Sequence, residues 1–233
     1  MSPSAVGILL ARSDSSRLPG KVLMDLGGGH TLIGLVAARA RQARELDDLV
    51  LATSDRPCDD ALADYAAGPL GLPVFRGAVD DVAGRALAAA ESRGATWFAR
   101  INGDSPFVDA ALLDAGIRLA RETGADLVSN VIQRSHPYGV AVEVFRVDTY
   151  RRALPDFDAF EREHIARHLY QHPDRYRLAS LPPSPDPALA GLRLTVDDAD
   201  DLAAVRATVS RLGDDAATAG YLRVADLIRE VRG

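Results

Sequence analysis

Residues 9–23, LLARSDSSRLPGKVL, decide how this chain is read. They continue a short apolar run, residues 5–10, whose length and placement suit a buried β-strand. The run stops at a small-residue loop, residues 13–16, flanked by Arg12 and Arg17 and followed by a Leu-Pro-Gly break and Lys21. A loop of this composition can turn several backbone N–H groups toward one point while three cations surround it, which is what a triphosphate requires. Lys21 is followed by Val22, so this is not the Gly-Lys-Ser/Thr phosphate loop, and no GxGxxG pattern follows the strand. In isolation these residues describe a charged surface turn, and the rest of the chain has to decide between the two.

Working outward, short apolar stretches alternate with longer helical patterns. Strands are expected at 6–10, 49–53, 73–75 and 97–101, and helices at 31–44, 58–70, 79–93 and 110–121. This βαβα order predicts an α/β chain whose mostly parallel sheet is covered on both faces. Ligands of such sheets sit beyond the C-terminal strand ends. Three loops there carry unusual residues: 12–21, 53–55 and 102–106. Arg39, Arg41 and Arg44 fall toward the end of the 31–44 helix, where they complement its dipole and need no ligand. From 127 the order changes to a strand at 127–131, a polar segment at 133–138 and an alternating run at 140–145, which predicts a strand with one exposed face. A helix at 160–170, a loop at 181–189 with four prolines, a strand at 192–198 ending in acids, and helices at 202–212 and 224–231 complete the reading. The last helix is expected on the sheet edge.

With 233 residues, 26% charged and 47% hydrophobic, the chain is expected to form one soluble domain with a substantial core. A net charge of −6 offers no basic footprint, which disfavours nucleic acid and anionic membranes as partners. No stretch reaches the roughly 18 apolar residues of a membrane span and no charged leader precedes an apolar run, so a cytoplasmic location is expected. The single cysteine, Cys58, cannot close an intrachain disulfide and has no thiol partner for structural zinc.

The first loop does not stand alone. LLARSDSSRLPGKVLMDLGG (9–28), VFRGAVDDVAGR (74–85), NGDSP (102–106), GVAVEV (139–144), EREH (161–164) and TVDD (195–198) follow one another in order. Together they resemble the sugar nucleotidyltransferase superfamily, in its cytidylyltransferase branch. That branch holds the 3-deoxy-manno-octulosonate and acylneuraminate cytidylyltransferases and the spore coat polysaccharide biosynthesis protein F family. The resemblance spans nearly the whole chain. It implies a Rossmann-like, three-layer α/β nucleotidyltransferase fold with a mostly parallel mixed sheet. The single domain, 1–233, would comprise a nucleotide-binding half (5–126), an excursion for acceptor binding and dimerisation (127–189), and a closing part with a second metal-ligand strand (190–233).

The same resemblance implies roles. Leu10, Ala11, Arg12, Ser13, Ser15, Ser16, Arg17 and Lys21 would hold the nucleotide, and Arg12, Arg17, Lys21 and Asp104 would be catalytic. Ser54 and Asp55 would line the base, although either of them, or Asp59, could instead cap the next helix. Arg76, Asp81, Arg85, Asn102 and Gly103 would face the nucleotide; Asp80 or Asp81 is equally suited to capping, while an Arg supplies a fixed fork of donors. Gly103 permits the tight turn that exposes Asp104. Asp104 and Asp197 would hold Mg²⁺, offsetting charge on the α-phosphate and the leaving pyrophosphate. Tyr138, Gly139, Glu143, Glu161, Glu163 and His164 would contact the acceptor, and Asp200 and Asp201 read as caps. His164, His168 and His172 follow i, i+4, i+8, a spacing used for transition metals. Pro173 ends the helix at once and no Cys joins them, so they read as helix-end residues.

The implied reaction takes CTP and a sugar or sugar-acid acceptor to a CMP-sugar and pyrophosphate, for polysaccharide or glycoconjugate synthesis, in a homodimer. Four positions depart from the family pattern. Asp14 stands where Gly or Ala is usual, Leu10 where Gln is frequent, and Tyr138 and Ala141 where acids are usual. Two alternatives stay open: a catalytically silent nucleotide-sugar binding protein, and a CTP enzyme acting on a phosphonate or sugar phosphate.

Overall fold

A computed structural model of the chain describes residues 4–232, and the domain bounds at 1 and 233 lie outside them. Strand β1 (Ala5–Leu10) leads to a small hairpin, β2 (Asp25–Gly27) and β3 (His30–Thr31), and then to α1 (Leu32–Ala40) and β4 (Asp48–Ser54). Next come α2 (Asp60–Ala67), β5 (Val74–Gly77), α3 (Val82–Ser92), β6 (Trp97–Asn102) and α4 (Ala110–Thr123). The chain continues through β7 (Leu127–Ser129), β8 (Glu143–Arg146), α5 (Val147–Ala153), α6 (Ala159–Glu163), α7 (Arg167–Gln171) and β9 (Leu178–Ser180). Helices α8 (Ala199–Leu212) and α9 (Tyr221–Arg232) close it.

The main sheet runs β5-β4-β1-β6-β8-β7-β9, with β5, β4, β1 and β6 parallel and β8 antiparallel to both of its neighbours. The two-residue period of β1 sorts the layers. Ala5 and Leu9 join an apolar cluster with α1, α2 and α4, whereas Val6 and Ile8 join one with α3 and α5. Full burial of each such Leu or Ile contributes about 1.5–3 kcal/mol. The three-layer α/β expectation is met.

Several local expectations are corrected. Helix α9 packs on α8 through Val224 and Ile228, in a third cluster with Leu32 and Leu35 of α1, and not on the sheet edge. Helix α1 stops at Ala40, and Arg39 is not a dipole residue at a solvated end. It is 3% exposed and donates to the carbonyls of Val108, Ala216 and Ala219 at 2.9, 2.7 and 2.6 Å. Burial pulls its pKa down to about 10, against the opposing field of Asp109.

The run 140–145 becomes a strand only from Glu143, with no solvent-facing side: Val144 lies in one core cluster and Phe145 in the other. Before it, the Asn130 side chain substitutes for a strand partner, accepting from Val142 N at 2.8 Å and donating to Val140 O at 2.9 Å. Residues 192–198 are not a strand, because only Arg193 finds a bridge partner, Tyr138. The expected helix 160–170 breaks between α6 and α7 at His164, whose φ of −108° and ψ of 75° leave helical space.

Candidate active site

Pairing of Leu10 with Asn102 makes the loops after β1 and β6 emerge side by side. Gly103 N donates to Leu10 O at 2.9 Å. A Cβ on Gly103 would stand 2.6 Å from Ala11 Cβ, so glycine is required there for close approach rather than for the turn. Above this junction opens a cavity of about 360 Å³. Leu10, Ala11, Arg12, Ser15, Ser16, Arg17, Lys21, Arg85, Asn102, Gly103 and Asp104 line it, as do Glu163 and His164 at the C-terminal end of α6. Arg100 lines it too, although the sequence reading did not single it out.

The first loop closes on itself through Gly20 N to Ser13 O at 2.8 Å. It is fastened from behind, where Ser13 N donates to Asp59 Oδ1 at 2.6 Å. Asp59 is fully buried and also accepts the Ser54 hydroxyl. Burial alone would raise its pKa, but the Ser54 and Ser13 hydrogen bonds and the charge of Arg56 outweigh it and hold the carboxyl below its ordinary value. Five residues expected at the nucleotide therefore stand behind or beside the cavity. Ser13 and Ser54 belong to this anchor, and Asp55 is exposed and donates its N–H to Gly77 O at 3.0 Å. Arg76 is bound to Ser54 O at 3.0 Å and pairs with Asp60 at 2.7 Å. Asp81 caps α3 through Gly84 N at 2.9 Å and pairs with Arg162 at 2.9 Å. Arg85 is 5% exposed, and its pKa is lowered by burial first and by the like charge of Arg12 next. Asp14 pairs with Arg12 at 3.3 Å and Arg56 at 2.6 Å.

Val196 N donates to Asp104 O at 2.9 Å, which sets Asp197 beside Asp104. Lys21 Nζ lies 3.4 Å from Asp104 Oδ2 and 3.7 Å from Asp197 Oδ1, and donates to Val196 O at 2.6 Å. Arg17 and Arg193 pair with Asp197 at 2.9 and 2.8 Å. Burial would raise the Asp197 pKa, but Lys21 and then Arg17, with the Thr195 and Arg193 hydrogen bonds, keep it below its ordinary value. Two carboxylates converging on one cation offer the hard oxygen donors that Mg²⁺ prefers, so the residues fit that ion.

A second cavity, about 200 Å³, shares Arg100 and Asn102 with the first and is lined by Tyr138, Gly139 and Glu143. Gly139 has a φ of +101°, and a Cβ there would meet the Leu194 backbone at 3.0 Å. Glu143 is 4% exposed and accepts from Arg100 Nη1 and from the Tyr170 hydroxyl, each at 2.7 Å. Burial, then the charge of Glu143, pushes the Tyr170 phenol well above its ordinary pKa. Glu161 lines neither cavity. It completes a capping box with Asp158 and holds His168 Nδ1 at 3.0 Å. His172 Nδ1 donates to His168 O at 2.8 Å, so the expected three-histidine face is replaced by a Glu161, His168 and His172 cluster without His164.

Sequence reasoning missed Asp59 as an anchor because an Asp ahead of a helix reads as a cap. Arg100 left a usable signal: it is the one charge inside the apolar run WFARIN.

Residues 6–218 match the family model described as cytidylyltransferase. The chain is 33% identical over 216 residues to the spore coat polysaccharide biosynthesis protein SpsF of Bacillus subtilis, covering 89% of this chain and 87% of that protein. A cytidylyltransferase from Leptospira borgpetersenii superposes with a TM-score of 0.87 at 23% identity, covering 99% of this chain and 94% of the other. The CMP:2-keto-3-deoxy-manno-octonic acid synthetase in complex with CTP superposes with a TM-score of 0.66 at 17% identity, covering 89% and 99%. These two solved structures share the fold. By its match over most of its length, the chain belongs to the cytidylyltransferase family of CTP-using nucleotidyltransferases.

Proposed function

We propose that the protein transfers CMP from CTP to an oxygen of a sugar or sugar-acid acceptor and releases pyrophosphate, in the synthesis of a polysaccharide or glycoconjugate. The observation that carries this is the first cavity, lined by Arg12, Arg17, Lys21 and Asp104, where Lys21 meets Asp104 and both Lys21 and Arg17 pair with the neighbouring Asp197. The binding of CTP by a structural relative supports the nucleotide assignment. The acceptor oxygen forms a bond to the α-phosphorus while the bond to the bridging oxygen of pyrophosphate breaks, and that oxygen keeps the electron pair. Arg12 and Arg17 neutralise the leaving group, and Lys21 holds the two carboxylates in register. A Mg²⁺ held by Asp104 and Asp197 would withdraw charge from the phosphate oxygens when bound. His164, the one histidine lining the cavity, would take the acceptor's proton.

Pairing of Asp14 with Arg12 and Arg56 keeps that carboxylate from lining the cavity, which leaves the approach of the phosphates free. We place the enzyme in the cytoplasm as a homodimer joined through residues 127–189. Among the described residues no helix is long and apolar enough to cross a membrane.

Pyrophosphate release, measured with each of the four nucleoside triphosphates across a panel of sugars and sugar acids, with and without Mg²⁺, tests the reading. Metal-dependent release with CTP, lost in Asp104→Asn and Asp197→Asn, is expected. Preference for another triphosphate, or release that survives both substitutions, overturns it.

A further inference from the structure

Among the described residues, one charge of the second cavity has no counter-charge. Arg100, where the two cavities meet, is matched by Glu143 at 2.7 Å and bound to Asn102 Oδ1 at 2.8 Å. Arg134 lines only the second cavity and has no carboxylate partner among the described residues. Its guanidinium carbon lies 4.1 Å over the ring of Tyr138, which is 44% exposed. An arginine stacked on an aromatic face is held in place with its in-plane donors free, and those donors match the paired oxygens of a carboxylate or phosphate.

Position gives the charge its meaning. Arg100 and Asn102 line both cavities, so the two cavities adjoin at this pair. Arg134 lines the second cavity and not the first, so an anion held on it lies outside the first cavity. We propose that Arg134, stacked on Tyr138, is a specificity-determining subsite for an anionic group remote from the attacking oxygen. The acceptor is then a monosaccharide-sized compound with a carboxylate or phosphate at the end opposite its reacting hydroxyl, such as a hexuronic acid or a hexose 6-phosphate. A 2-keto acid, whose carboxylate adjoins the reacting carbon, does not reach this fork. The inference rests on the cytidylyl-transfer reading of the first cavity for the direction of attack.

The test is calorimetric titration of the protein, with and without CTP, using hexuronic acids, hexose 6-phosphates, the matching neutral hexoses and a 2-keto-3-deoxy octonic acid. Wild type is compared with Arg134→Gln, Arg134→Lys and Tyr138→Asp. The uronic acids or 6-phosphates are expected to bind best at millimolar concentration, and whichever responds more identifies the anion. Arg134→Gln and Tyr138→Asp should weaken them roughly tenfold or more, the effect of losing a charge-assisted hydrogen bond. Arg134→Lys should keep part of the affinity, since the charge remains and the fork is lost. CTP titrations should coincide in all four proteins. Neutral hexoses or the 2-keto acid binding as well as the distal-anion probes, or Arg134→Gln leaving affinities unchanged, overturns the subsite. If CTP itself fails to bind wild type, the transfer reading falls, while the Arg134 dependence of the probes is still read from the titrations without CTP.

Discussion

Asp59 Oδ1 accepts the backbone N–H of Ser13 at 2.6 Å, so the first turn of the cationic loop is tied to the start of α2 across 46 positions of sequence. Replacing Asp59 with Ala leaves the fully buried Ser54 hydroxyl and the partly buried Ser13 N–H without their acceptor. We expect a loss of about 3 kcal/mol in unfolding free energy and weaker CTP binding, read by denaturant titration and calorimetry. Asp59→Asn keeps an oxygen acceptor and should lose less. The sign of the pH effect follows from the depressed carboxyl. Its stabilisation is present above the unfolded-state value of about 3.9 and disappears as pH falls through the lower folded value. The gap between wild type and Asp59→Asn should therefore be largest near neutrality and close in acid. A constant gap down to the acid limit would show that the charge on Asp59 contributes nothing.

Asp14 makes a different kind of contact. Its pairs with Arg12 and Arg56 join side chains that are 47%, 38% and 34% exposed, and exposed pairs contribute only about 0–1 kcal/mol. Asp14→Gly should leave the melting temperature nearly unchanged. It frees Arg12, which lines the first cavity, so CTP affinity should rise severalfold at low salt and the gain should shrink as the Debye length contracts. A fall in CTP affinity would show that Asp14 holds Arg12 in its working position.

The parts of this architecture that sequence made legible are those decided by near neighbours. The strand into loop at residues 5–21 declares itself by an apolar run followed by clustered cations, whereas Asp197 is singled out only through the resemblance of TVDD to a family element. The errors fall where a distant group satisfies a polar residue. Glu143 looked like the solvent side of an alternating strand because nothing within a few residues shows that Arg100 and Tyr170 will meet it. Residues 192–198 have the composition of a strand, yet Lys21, Asp104 and Tyr138 take their backbone groups one at a time and no ladder forms. The three-histidine spacing assumed a continuous helix, and the break at His164 turns that residue toward the first cavity while His168 goes to Glu161.

Gly103→Ala tests whether the two strand-end loops must touch. The added methyl would stand 2.6 Å from Ala11 Cβ and 3.1 Å from Leu10 O, so one loop has to move. Overpacking of this kind costs about 1–3 kcal/mol. Because Ala11 and Asp104 flank the contact, CTP affinity and turnover should both fall, and a variant with wild-type kinetics would show that the cavity tolerates separation of the loops.

Tyr170 offers a separable prediction for the acceptor side. Its hydroxyl lies 2.7 Å from both Glu143 Oε1 and Ser129 Oγ, and with one proton it donates to the carboxylate and accepts from the serine. Tyr170→Phe removes one of two donors to a buried charge while the Arg100 pair stays, so a loss of about 1–2 kcal/mol is expected. Arg100 then swings more freely where the two cavities adjoin, and the acceptor KM should rise with the KM for CTP unchanged. The phenol's raised pKa adds a signature in alkali. Its contribution is complete below the unfolded-state value of about 10 and is lost as pH climbs toward the folded value, because the unfolded chain gives up that proton first. Wild type should therefore lose stability above that pH more steeply than Tyr170→Phe. Parallel alkaline profiles, or a KM change confined to CTP, would remove Tyr170 from the acceptor side and leave it a packing residue.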